Sequence, residues 1–214
     1  TNNRGGWAKL EFSKTEHLTS EGYFTYLKEF KGGHSLNAVA GYSYFEKNGE
    51  NFNAENYDFG VEGLKYWDLE SGSYLTDGKA KMGSKKDITE RLFALYARAN
   101  YSYNDKYMVT ATIRHEGSSK FAAENRWGNF WALSGGWRVS GEEFMKEFDW
   151  VNDLKIRFGY GVTGNNDFDA SYMANTLSRD QYWMLPSGSW AFVYGPSSNV
   201  NPYLGWEEKK EWNI

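Results

Sequence analysis

The chain has 214 residues, 24 of them basic and 28 acidic, giving a net charge of −4, and it contains no cysteine. That balance, with no Lys/Arg-rich run, argues against nucleic acid as a partner, and the missing thiols exclude disulfides and cysteine chemistry. Aromatic residues make up 19% of the chain and glycine fills 23 positions against 3 prolines, a composition that favours an all-β protein over a helical one.

No run approaches the ~18 apolar residues of a transmembrane helix. Mean hydropathy is −0.73, but a transmembrane barrel escapes such averages because half of each strand is polar. The opening Thr1–Gly6 has no apolar region of the signal-peptide kind. Residues 5–31 hold two alternating runs, Trp7–Phe12 and Tyr23–Phe30, around a polar piece, Ser13–Gly22. They read either as two short strands or as one very long one. Lys31-Gly32-Gly33-His34 predicts a tight turn. Ser35–Phe45 predicts a strand with Leu36, Ala38, Ala40, Tyr42 and Tyr44 on one face. Residues 46–89 then read as one long polar connection with interspersed aromatics, Tyr66 and Trp67 among them.

From Arg91 to Gly164 the pattern predicts four consecutive strands. In the first, Phe93, Leu95, Ala97, Ala99, Tyr101 and Tyr103 share a face, and Asn104-Asp105 makes the break that follows. Tyr107, Val109, Ala111 and Ile113 line the second, Trp131, Leu133, Gly135, Trp137 and Val139 the third. Leu154, Ile156, Phe158, Tyr160 and Val162 line the fourth. Glu116–Gly128 is a loop of medium length, and Gly141–Trp150 fits one or two amphipathic helical turns. Residues 164–206 form a second long aromatic loop with Tyr182, Trp183 and Trp190. Glu207–Ile214 opens a further strand, so the chain reads as an excerpt of a larger sheet.

Long and short connections alternate, which in a meander puts long loops at one end and short turns at the other, as outer-membrane barrels do. Strands of about eleven residues, tilted roughly 45°, cover ~25 Å of apolar thickness. Tyr101, Tyr103 and Tyr107 flank the Asn104-Asp105 turn, where rings suit the headgroup level. Arg98, Arg114, Arg138, Lys155 and Arg157 fall opposite the apolar positions. Unpaired in a dry core they would be prohibitive; they suit a hydrated lumen, where they would pair with carboxylates of a plug or of loops, or a solvated sheet face. The expected fold is therefore all-β, residues 1–214 forming part of a large antiparallel transmembrane β-barrel with long extracellular loops and short periplasmic turns. The rival is a soluble β-sandwich that binds carbohydrate.

Nothing predicts catalysis, a metal or a cofactor. His17, His34 and His115 lack ligand spacing, and Glu142-Glu143 and Glu207-Glu208 are neighbours whose side chains diverge. The density of aromatics in the long loops makes Tyr66, Trp67, Tyr182, Trp183 and Trp190 the candidate contacts for a substrate or partner, against the alternative that the loops pack on each other.

Several stretches carry a resemblance: Arg98-Ala99-Asn100-Tyr101-Ser102-Tyr103-Asn104-Asp105-Lys106-Tyr107, Glu116-Gly117-Ser118-Ser119-Lys120-Phe121, Asn125-Arg126-Trp127-Gly128, Gly136-Trp137-Arg138-Val139-Ser140 and Asp153 through Asn165. With Leu36–Tyr44, Asn201-Pro202 through Trp206-Glu207, and Glu211-Trp212-Asn213-Ile214, they resemble, in order, the SusC/RagA-like TonB-dependent outer-membrane transporters of Bacteroidota. His115-Glu116 stands where the family more often has Arg-Asp, and Lys120 where Arg is common. The resemblance implies seven or eight strands of the barrel, without the family's plug, TonB box and signal peptide. It implies import of oligosaccharides or peptides through a wall in contact with outer-membrane lipid. It also implies a SusD-like lipoprotein lid and energisation by TonB through a region outside these residues. The motifs lie on strands and turns and mark architecture, not a substrate site.

Overall fold

The computed structural model describes residues 6–60, 63, 65–87, 89–148, 150–168, 177–196, 201 and 203–214. Ten strands are described: β1 (Trp7–Phe30), β2 (His34–Tyr57), β3 (Lys81–Lys86), β4 (Glu90–Tyr103), β5 (Tyr107–Ser118), β6 (Trp127–Arg138), β7 (Lys155–Asn165), β8 (Leu177–Met184), β9 (Trp190–Pro196) and β10 (Glu207–Asn213). The main sheet runs β1-β2-β4-β5-β6-β7-β10, with β3 paired to β2; β8 and β9 form a separate hairpin. The pairings β2–β3, β4–β5, β5–β6, β6–β7, β7–β10 and β8–β9 are antiparallel.

Two compact units make up the chain, residues 1–17 with 47–89, and residues 18–46 with 90–214; β1 and β2 contribute residues to both. In the first unit Asn56 is buried and its side chain spans a turn, Nδ2 donating to Leu69 O and Gly72 O at 2.7 Å each. Its Oδ1 accepts the Tyr57 backbone N–H at 2.9 Å. Ser73 Oγ donates to Asp58 Oδ2 at 2.6 Å and Tyr57 packs on Tyr74.

Of the two readings of residues 7–30, the structure has the single very long strand, 24 residues in length. One expectation needs correction: the strand expected over Ser35–Phe45 runs on to Tyr57. The stretch 46–89 is therefore not a single loop: it holds the end of β2 and all of β3, paired from Glu50↔Lys86 to Glu55↔Lys81. Polar residues on both faces hid these strands, because neither face meets an apolar medium and the alternation vanishes. Likewise residues 164–206 contain the β8–β9 hairpin, and the Gly141–Trp150 turns are 3₁₀ in type, over Val139–Gly141 and Glu143–Glu147.

In the second unit the register fixes which side chains share a face. Tyr103, Tyr107, Trp137 and Ile156 lie in one row across four strands, and Tyr101, Val109, Gly135 and Phe158 in the next. Ala99, Ala111, Leu133, Tyr160 and Trp212 make a third. These rows are not a core. Leu95, Ile113, Leu133, Ile156 and Phe158 are each about half exposed, and the buried apolar side chains among the described residues are Ala8, Tyr57, Ala94, Phe121, Phe130, Val139 and Val162. A sandwich would have buried the wide apolar face; a wall facing lipid leaves it open. From Phe93 to Tyr103 on β4, at ~3.3 Å per residue and a tilt near 45°, the face spans about 23 Å of height.

The short connections stand side by side at one end. Asn104 N–H donates to Gly33 O and Arg138 N–H to Lys106 O, each at 2.7 Å, linking the turns at 31–33, 104–106 and 139–154. Asn104 and Asp105 both have positive φ, 50° and 53°, and Gly32 and Gly33 follow suit at 89° and 80°.

Candidate functional site

Four features of the wall carry its chemistry. The first is the face opposite the apolar rows. Arg98 pairs across with Thr112, Arg114 with Tyr96 and Phe130, Arg157 with Gly136, and Arg138 with Lys155, so the five cations share that face. Arg114 grips Glu116 through two bonds, Nε to Oε2 at 2.8 Å and an outer nitrogen to Oε1 at 2.7 Å. Arg138 reaches Asp153 at 3.3 Å, and Lys155 Nζ lies 3.0 Å from Met108 Sδ. Arg98 and Arg157 have no ion-pair partner among the described residues. Lys155 and Arg157 border an open groove of about 460 Å³ with Asn37, Asn100, Thr110, Ser134 and Asn213. Thr110 Oγ1 donates to Asn100 Oδ1 at 2.9 Å within it.

The second is a buried aromatic knot at the ends of β5, β6 and β7. Phe121 is 1% exposed, and its ring centroid lies 5.0 Å from Trp206 and 5.1 Å from Phe168; Trp206 in turn lies 5.1 Å from Phe130. Trp206 Nε1 donates to Arg126 O at 3.0 Å. The buried Ser118 Oγ accepts from Asn166 Nδ2 and from the Lys120 backbone N–H, both at 3.3 Å. Lys120 Nζ donates to Phe168 O at 3.0 Å and pairs with Glu90 at 3.4 Å. Phe121 and Ser118 of the 116–121 motif, Arg126 of the 125–128 motif and Trp206 of the last motif before β10 therefore meet in one cluster, with Asn166 and Phe168 just beyond the motif that ends at Asn165.

The third is the set of loop aromatics. Tyr66 and Trp67 pack together, centroids 4.6 Å apart, on the 3₁₀ turn Lys65–Trp67 of the first unit. Tyr182 pairs with Phe192 and Met184 with Trp190 on one face of the β8–β9 hairpin, whereas Trp183 pairs with Ala191 on the other. Tyr182, Trp183 and Trp190 are all exposed. Tyr182 and Trp190 are thus brought onto one face, with Phe192 and Met184, and Trp183 is turned away from them.

The fourth is a carboxylate at the short-turn end. Glu142 Oε1 accepts from Tyr107 Oη at 2.6 Å and from Trp137 Nε1 at 3.1 Å, and its Oε2 accepts from Lys106 Nζ at 3.1 Å. The Tyr107 hydroxyl, then the Trp137 N–H and Lys106, hold its carboxyl below the usual glutamate range. Beside it His34 Nδ1 is 2.6 Å from Tyr101 Oη and its ring stacks on Tyr103. The knot and this carboxylate escaped the sequence reading. Phe130 was a signal for the knot, since it is a large apolar ring on a face of β6 that otherwise carries small or polar residues.

No family model matches the chain. TonB-dependent receptor P39 of Formosa agariphila is 34% identical over 204 residues, 91% of this chain and 18% of that protein. TonB-dependent receptor SusC of Bacteroides thetaiotaomicron is 32% identical over 139 residues, 64% of this chain and 14% of that protein. The RagAB peptide importer in its closed-closed state matches with a TM-score of 0.74 at 22% identity, over 96% of this chain and 21% of that one. Its open-open state matches at 0.70. That likeness is one of fold. The chain spans about a fifth of the length of the proteins it matches. Ordered motifs, an uncovered apolar face and the shared strand arrangement converge, and the chain belongs to the outer-membrane SusC/RagA-like TonB-dependent receptors of Bacteroidota, of whose β-barrel it is a portion.

Proposed function

We propose that the chain builds part of the wall of a nutrient importer that takes oligosaccharides or peptides across the outer membrane, driven by TonB and capped by a SusD-like lipoprotein. The observation that carries this is the two-sided wall: exposed apolar rows on one face, and Arg98, Arg114, Arg138, Lys155 and Arg157 on the other. A cation row is stable opposite lipid only where that face is wet or meets carboxylates. The row faces the lumen, and Arg98 and Arg157 are the members left to pair with a plug or cargo. Tyr66, Trp67, Tyr182, Trp183 and Trp190 contact cargo or lid from the loops, a role supported by the exposure of all five on their turn and hairpin.

The test uses the full-length transporter. Cysteines replacing Arg98 and Arg157 should react with a water-soluble maleimide, and cysteines replacing Ala97 and Phe158 should not. The reverse labelling pattern overturns the lumen assignment. Glutamate at both Arg98 and Arg157 should lower uptake at unchanged outer-membrane abundance. Alanine at all five loop aromatics should weaken uptake or lid binding; both intact would remove those residues from the site.

A further inference from the structure

The β6–β7 connection is long for a short-turn end. It leaves β6 at Arg138, enters β7 at Lys155, and its backbone is braced by a run of short-range bonds, Met145 N–H to Glu142 O, Phe148 N–H to Met145 O and Val151 N–H to Phe148 O. Both roots are fixed. Glu142 is held by Tyr107, Trp137 and Lys106, and Asp153 accepts from Ser140 Oγ at 2.9 Å and from Arg138 Nε at 3.3 Å. Between the roots stand three exposed rings: Phe144 at 55%, Phe148 at 44% and Trp150 at 81%. Charged residues alternate with them, and Lys146 pairs with Glu143 at 2.7 Å.

A turn meeting water has no reason to expose three aromatic rings so close together. Here the exposed rings continue an interface already in place. Trp137 and Ile156, the last outward residues of β6 and the first of β7, belong to the lipid-facing row with Tyr103 and Tyr107. Glu142 ties the turn to that row through Tyr107 and Trp137 themselves. Aromatic rings beside charges at this height match the boundary between headgroups and acyl chains.

We propose that the β6–β7 connection is an interfacial foot, whose Phe144, Phe148 and Trp150 rings enter the phospholipid of the inner leaflet of the outer membrane. The foot extends the girdle sideways and fixes the depth at which this part of the wall sits. It rests on the outer-membrane placement and is independent of the cargo.

The experiment places an environment-sensitive fluorophore on a cysteine at Trp150→Cys in the full-length transporter, in phosphatidylethanolamine/phosphatidylglycerol vesicles. The same label at Leu133→Cys, mid-height on the apolar face, reports insertion of the wall. Lipids brominated near the headgroup should quench the label at 150, and its emission should be blue-shifted from that in water. Adding Phe144→Ser and Phe148→Ser should abolish both effects at 150 and leave those at 133. Quenching at 150 by aqueous iodide instead of brominated lipid overturns the foot, as does quenching by neither, which would mean a protein covers it. Failure at 133 as well would overturn the membrane placement itself.

Discussion

Trp206 and Phe121 meet with ring centroids 5.0 Å apart, although one precedes β10 and the other lies in the loop after β5. Their contact gathers the ends of β5, β6, β7 and β10 around a small buried centre, in a wall whose apolar rows lie exposed on one face. Phe121 is fully buried, so deleting its ring removes transfer energy and leaves a cavity. Phe121→Ala should destabilise the full-length transporter by about 3–5 kcal/mol. Urea unfolding in detergent micelles, followed by tryptophan fluorescence, measures it. Tyr203→Ala, at an exposed ring in the segment that carries Trp206, should cost far less.

The tight turn gives a second, backbone-based expectation. Asn104 and Asp105 sit in the left-handed region, which short polar side chains tolerate and β-branched ones do not. Asp105→Val should cost about 1–2 kcal/mol, and Asp105→Gly, whose relief of the positive φ is offset by a freer unfolded chain, should be close to neutral. The same unfolding assay separates the two. Equal effects would mean that the turn relaxes instead of holding its conformation.

Legibility in the sequence followed the medium each residue meets. β4 to β7 were readable because one face meets an apolar medium and the other does not, so Phe93 to Tyr103 alternates cleanly. The polar lengths of β1 and β2, Ser13–Gly22 and Lys47–Tyr57, carry no such contrast, and their strand character comes from pairing with neighbours. The β8–β9 hairpin was hidden for the opposite reason: rings occur on both its faces, with Trp183 opposite Tyr182 and Trp190, and no period of two emerges. Phe121 and Trp206 of the knot stand in the motifs, but they come from separate loops that only the fold brings together with Phe130 and Phe168. Two glycines attest to it, since a Cβ at Gly128 or Gly164 would overlap the Phe130 ring.

Acid should loosen the girdle at the short-turn end. Glu142 is stabilised as a carboxylate by Tyr107, Trp137 and Lys106, so its folded pKa is depressed. Its contribution is therefore fully present above the ordinary glutamate pKa of about 4.3 and is lost as pH falls through the depressed value. Wild-type protein should lose thermal stability on acidification faster than Glu142→Gln, with the two curves converging at the acid end. Parallel curves between pH 3 and pH 6 would show that the carboxylate charge contributes nothing there.

The two faces of one strand supply the sharpest test of the wall. Ile113 and Thr112 are neighbours on β5, the first in the exposed apolar row with Ala97 and Trp131, the second paired with Arg98 and Ala132. A cation on the lipid side must be carried into hydrocarbon, whereas one on the other side joins a face that already holds Arg98 and Arg114. Ile113→Arg should therefore cost about 2–4 kcal/mol if it lies near the bilayer midplane. Thr112→Arg pays mainly crowding and like-charge repulsion from Arg98, which water or added salt screens. Folding titrations of the full-length transporter into lipid vesicles should show the first variant well below wild type at every salt concentration. The second should recover as salt rises. Equal penalties on the two sides would mean that the sheet is wet on both faces, and the barrel-wall reading would fall with that result.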